Sequence, residues 1–158
     1  MRSQPTLLNS CAKAATAAEA RFRIDFPEPK ARDSLIIALD DRAARIVRWL
    51  ADRPWRGGRF FTFESAGLRA ADGTLVPLSA ELDVADVVVV IATADASAAA
   101  AAIIGDACAA RRIMSAGLVV TGAAAVGDAV CALRPHAMVL LILDDENDIP
   151  PILTALRV

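Results

Sequence analysis

The sequence predicts a three-layer, doubly wound α/β domain built on a mainly parallel five-stranded sheet. Strand-like apolar runs alternate five times with helix-length segments from residue 34 onward, the pattern of strands joined by right-handed crossovers. The strongest run, "DVVVVIAT" at Asp86–Thr93, is continuously β-branched, as in strands buried on both faces of a parallel sheet. A length of 158 residues, 56% of them hydrophobic, suits one domain with a well-buried core and argues against extensive disorder.

Residues 1–33 read as an N-terminal arm: a helix over Asn9–Arg23, then the connector "IDFPEPKARDS", whose two prolines forbid a long helix. Residues 34–158 read as a single domain. It opens with a strand at Leu35–Leu39, a helix from Asp41 to Arg53 and a strand "RFFTFES" at Arg59–Ser65. The next segment holds Asp72-Gly73, a tight-turn signal, and is expected to form a small hairpin or a short helix. After Asp86–Thr93 come a helix at Ala96–Arg112, a strand "AGLVVTG", a helix "AVGDAVCALRPH" and a strand "MVLLILDD". A last helix follows, with Asp148 as its cap and Pro150 and Pro151 in its first turn. Strand order 3-2-1-4-5 (Rossmann-like) and 2-1-3-4-5 (flavodoxin-like) both fit this alternation.

Several classes are excluded. The run "VADVVVVIATADASAAAAAII" is interrupted by Asp86 and Asp95 and is rich in weakly partitioning alanine, so no membrane span is expected. No apolar run precedes Cys11, so no signal peptide is expected either. Three widely spaced cysteines without a Cys-x-x-Cys pair suit a reducing cytoplasm and indicate neither a disulfide framework nor zinc. Arginines are scattered without interleaved aromatics, which argues against nucleic acid as a partner. Residues 1–70 carry 13 Lys+Arg against 8 Asp+Glu, and residues 71–158 carry 4 against 11. This asymmetry either solvates opposite faces of one domain or favours head-to-tail association.

In doubly wound sheets, ligands bind outside the carboxyl ends of the strands, near the switch point. The residues expected there as ligand contacts are Asp40, Asp41, Arg42, Thr93, Asp95, Ser97 and Thr121. Glu64 and Ser65 follow the second strand, Gly122 the fourth, and Asp144, Asp145 and Glu146 the fifth. Two carboxylates about 4 Å apart repel by ~4 kcal/mol at an effective dielectric near 20, so a closed acidic rim calls for a cation. Magnesium, the hard cation that oxygen ligands suit, would sit on Asp40, Asp41, Asp144 and Asp145. The competing expectation is that these carboxylates cap the following helices or are solvated, in which case neutralising Asp40 and Asp41 relieves repulsion.

Other groups offer less. His136, the only histidine, reads as a helix-end residue, and Cys108 and Cys131 as small apolar residues on helix faces. Lysine occurs only at 13 and 30, which leaves Arg42 and Arg45 as the best anion contacts near the crevice.

Two families are resembled by these stretches. "IIALDDRAARIVRWL", "GRFFTFES", "ADVVVVIATADAS" and "ALRPHAMVLLILDDENDIPPIL" resemble the nucleotide-binding domain of FtsZ and tubulin, with Asp40, Asp41, Ala43 and Ala44 in place of its first glycine turn and "TADASAAA" in place of its glycine-rich phosphate loop. The resemblance implies a nucleotide fold whose phosphate cradle is degenerate, because added Cβ atoms obstruct the approach of backbone to phosphate. More weakly, Asp40-Asp41 and "VVTG" with Thr121 resemble a response-regulator receiver. There Ile91 stands where the phosphate-accepting aspartate belongs and Leu143 where the lysine belongs, which implies a receiver without phosphotransfer.

The helix "ASAAAAAIIGDACAARR" shows no clear polar face, so it is expected to be covered on both sides, by a second copy in a homodimer or by the arm. The sequence thus points to a non-catalytic or regulatory domain that self-associates and keeps a degenerate crevice for a small-molecule ligand. The alternative is a magnesium-dependent enzyme or binding protein for a nucleotide or phosphorylated metabolite.

Overall fold

A computed structural model describes residues 30–158 apart from Ala66 and Ala123. Most of the arm expected over 1–33, with its helix, lies outside the described residues.

The elements are β1 (Ser34–Ala38), α1 (Asp41–Ala51), β2 (Gly58–Glu64), β3 (Gly67–Ala70), β4 (Leu75–Pro77), α2 (Leu78–Leu82), β5 (Val87–Ala92), α3 (Ala98–Arg111), β6 (Met114–Val120), α4 (Gly127–Leu133), β7 (Val139–Leu143) and α5 (Ile149–Ala155). Single 3₁₀ turns at Asp95–Ser97 and Glu146–Asp148 lead into α3 and α5.

The α/β class holds, but among the described residues the sheet has seven strands and is mixed rather than five-stranded, in the order β4-β3-β2-β1-β5-β6-β7. Five strands are parallel. Counted among themselves they run 2-1-3-4-5, so the chain reverses its direction of winding between β1 and β5. The valine run lies at the centre of these five, with Val87–Val90 no more than 2% exposed. The extra strands β3 and β4 add antiparallel beyond β2. They are four and three residues long, too short for periodicity to register. Their turn is the one signalled by Asp72-Gly73: Gly73 has φ 87°, a conformation that favours glycine, and the Asp72 carboxylate accepts from Thr74 N at 2.9 Å. Hairpin and short helix both form in this segment, as β3-β4 and α2.

Strand alternation splits the core into two layers. Leu35, Ile37, Val88, Val90 and Val119 pack toward α2, α3 and α4. Ile36, Val89, Ile91, Leu118 and Val120 pack toward α1 and α5.

One local expectation is refined and one is corrected. On α3, Ala101, Ile104, Gly105 and Cys108 are buried against the described domain, while Ala99 and Ala110 are exposed and Ile103 is 47% exposed, and this outer face is the one that a second copy or the arm would cover. Alanine is compatible with either environment, which is why composition suggested no solvent side. At α5, Asp148 occupies the cap position without a side-chain cap hydrogen bond. Asp145 instead accepts from Asn147 N at 2.9 Å and caps the 3₁₀ turn. Pro150 and Pro151 do sit at the start of the helix, where a missing N–H is tolerated. Among the described residues no helix is long and apolar enough to cross a membrane.

Candidate functional site

β1 and β5 are adjacent and in register, Ala38 beside Ile91, so their carboxyl ends deliver Asp40 and Thr93 to the same point. There the Asp40 carboxylate accepts four hydrogen bonds. Ala43 N donates to Oδ1 at 2.8 Å, capping α1, and Thr93 Oγ1 donates to the same oxygen at 2.6 Å. Thr93 N and Ser97 Oγ donate to Oδ2, each at 2.7 Å. Thr93 is 2% exposed and Ser97 is fully buried. Burial pushes the Asp40 carboxyl up, but donation from Thr93, Ala43 and Ser97 outweighs it and holds the group below its ordinary value.

This arrangement has the form of an anion site at a helix N-terminus and switch point, where backbone N–H and hydroxyl donors converge. The anion is the chain's own carboxylate. Outside it lies an open cavity of about 330 Å³ lined by Asp40, Asp41, Arg42, Thr93, Ala94 and Ala124. Asp41 is exposed. Arg42 leans toward β6, its Nη1 donating to Thr121 O at 3.3 Å. Gly122 permits this, because a Cβ there would fall 2.2 Å from that nitrogen.

The remaining expected contacts are engaged elsewhere. Asp95 accepts from Asp128 N at 2.7 Å and Ala129 N at 3.3 Å, at the start of α4. Thr121 donates its hydroxyl to Leu143 O at 3.2 Å and to Asp144 at 2.8 Å, latching β6 to β7. Asp144 and Asp145 therefore do not join Asp40 and Asp41. Among the described residues no group of three or more Asp, Glu, His or Cys side chains is placed to hold a metal ion. Asp40 is held by its donors at the start of α1, and Asp144 and Asp145 by theirs just after β7.

His136 lies away from the crevice, packed over Gly105, with Nε2 3.5 Å from Asp106. Cys108 is buried, which pushes its thiol up to about 11, away from nucleophilic use at neutral pH. Cys131 is exposed.

A second concavity, which sequence reasoning missed, lies one strand over, between α1 and the β2–β3 hairpin. Arg45 and Arg48 come from α1, and Thr62 and Arg69 from the paired strands. Spacing i, i+3 on the polar side of a helix puts Arg45 and Arg48 together, a signal present in the sequence. The position of Arg69 was not legible without the hairpin.

Comparison with protein-family models, with curated proteins and with solved structures finds no significant match to this chain.

Proposed function

We propose that the domain is non-catalytic and regulatory, a degenerate nucleotide-type fold that self-associates and whose switch-point crevice is filled by its own Asp40 carboxylate. The four donors converging on Asp40 carry this reading: the groups that would bind a phosphate are saturated from within the chain. A phosphate entering the crevice has to displace a held anion and meets Asp41 as well. The magnesium-dependent alternative has no such support, since Asp144 and Asp145 bond at the β7 end instead.

Calorimetric titration with Mg-GTP, Mg-ATP and magnesium alone is expected to give no binding heat and no shift in melting temperature that is lost in Asp40→Asn. A true magnesium site would raise stability by about 2.7 kcal/mol at a hundredfold excess over its dissociation constant. Such a rise, lost in Asp40→Asn, overturns the reading in favour of the enzyme.

Self-association rests on β7. It is the last strand of the sheet on its side and belongs to an uncharged run, Met138–Leu143, with Met138 73% and Ile142 58% exposed. An apolar edge that no described strand pairs offers N–H and C=O groups to another strand. A second copy fits it: antiparallel pairing about Leu141 sets Val139 opposite the partner's Leu143 and Leu140 opposite the partner's Ile142. Light scattering at micromolar concentration is expected to find twice the 16.6 kDa chain mass, reduced to the monomer by Ile142→Lys. Dissociation by Ala99→Arg and not by Ile142→Lys transfers the interface to α3. A wild-type monomer removes self-association altogether.

A further inference from the structure

We propose that the cleft between α1 and the β2–β3 hairpin binds a small organic oxyanion, a phosphate monoester or carboxylate carrying an apolar substituent. The site lies beside the plugged switch point and stands independently of the regulatory reading.

The cleft follows from the sheet. α1 packs over β1 and β2, whereas β3 and β4 extend the sheet beyond it. α2 supplies apolar cover to the opposite face of this extension, where Leu68 and Val76 meet Leu78 and Leu82. Among the described residues the α1-side face therefore stays open. Register pairs Thr62 with Arg69, so both side chains stand on that open face.

The mouth is a cavity of about 420 Å³ whose walls include Arg45, Arg48, Thr62 and Arg69, a size within the range of small-molecule sites. Arg69 is fixed: Nε and Nη2 donate to the two Glu64 carboxylate oxygens at 2.5 Å, and Nη1 donates to Gly73 O at 3.1 Å. That pairing neutralises Glu64 and locks the hairpin guanidinium as a wall. Arg45 and Arg48 make no ion pair with any described residue. Against these two guanidinium groups the lining sets only Asp41 as a remaining carboxylate. Planar forked donors of this kind match a carboxylate or phosphate bidentately.

Below the mouth the cleft continues, past the shared Arg48, Thr62 and Arg69, into a recess of about 130 Å³ floored by Val47, Ala51 and Phe60. A charged head held by the arginines thus places its substituent on an apolar floor. Inorganic phosphate satisfies only half of the cleft.

Titration of the full chain with phenyl phosphate, inorganic phosphate and benzyl alcohol, by calorimetry and thermal shift, tests the assignment. Phenyl phosphate is expected to bind and to raise the melting temperature, about tenfold more tightly than inorganic phosphate. Benzyl alcohol, without the charge, is expected not to bind. Arg45→Gln/Arg48→Gln alters two exposed helix positions and should fold as wild type by circular dichroism while losing phenyl phosphate affinity by at least about tenfold. Unchanged affinity in that variant, or no binding by wild type, overturns the site. Equal affinity for the two phosphates overturns its apolar half. Asp40→Asn, assayed in parallel under folding conditions, should retain phenyl phosphate binding; its loss there would move the anion to the switch point and overturn the cleft.

Discussion

Replacing Asp40 with alanine is expected to destabilise the domain by about 3 kcal/mol, through loss of the α1 cap and of the acceptor for buried donors. The cap alone is worth ~1 kcal/mol. The larger share comes from Thr93 and Ser97, which are buried and lose the acceptor of their bonds to Asp40. In a domain of this size the melting temperature should fall by roughly 10 °C. Asp40→Asn should also destabilise, because its amide NH₂ must face a hydrogen-bond donor on one side. The relief of repulsion expected from sequence therefore reverses in sign at Asp40, while Asp41→Asn, at an exposed position, should change little. The pH dependence follows from the depressed carboxyl. Its contribution is fully present above the unfolded value near 3.8 and is lost as pH falls through the lower folded value. Denaturant unfolding of wild type and Asp40→Asn at neutral pH and in acid checks both points. The gap between them should be wide at neutral pH and should close in acid; variants indistinguishable at neutral pH would remove the clasp as a stabilising element.

Ile104→Ala is expected to cost about 3 kcal/mol, in the range for truncating a buried isoleucine. The inner face of α3 consists of Ala101, Ile104, Gly105 and Cys108, so Ile104 is its one large anchor and is fully buried. Its neighbour Ile103 is 47% exposed, and Ile103→Ala should stay within about 0.5 kcal/mol. Both changes install the same helix former in the same helix, so propensity cancels between them. Chemical denaturation of the pair measures the difference; equal losses would mean that α3 is covered on its outer face as well.

The sequence determined the layers of this protein. Continuous β-branched runs, helix-length spacers and the position of Asp40 at a strand-to-helix junction are local features, and local features carry the α/β class, the parallel strands and the crevice residues Asp40, Thr93 and Ser97. What Asp40 does there was not local. Its carboxylate meets Thr93 and Ser97 across 53 and 57 positions of chain, because β1 and β5 become neighbours only when the winding reverses between them. The same reason separates Asp144 and Asp145 from Asp40: they follow the edge strand, and no spacing along the chain expresses distance across a sheet. Periodicity did not resolve strands of three and four residues, so β3 and β4 appeared only as a turn signal, and with them the wall that turns Arg45 and Arg48 into one side of a cleft. Side-chain chemistry and local patterning set the elements; strand order, a property of the whole sheet, decided which charged groups meet and which remain apart.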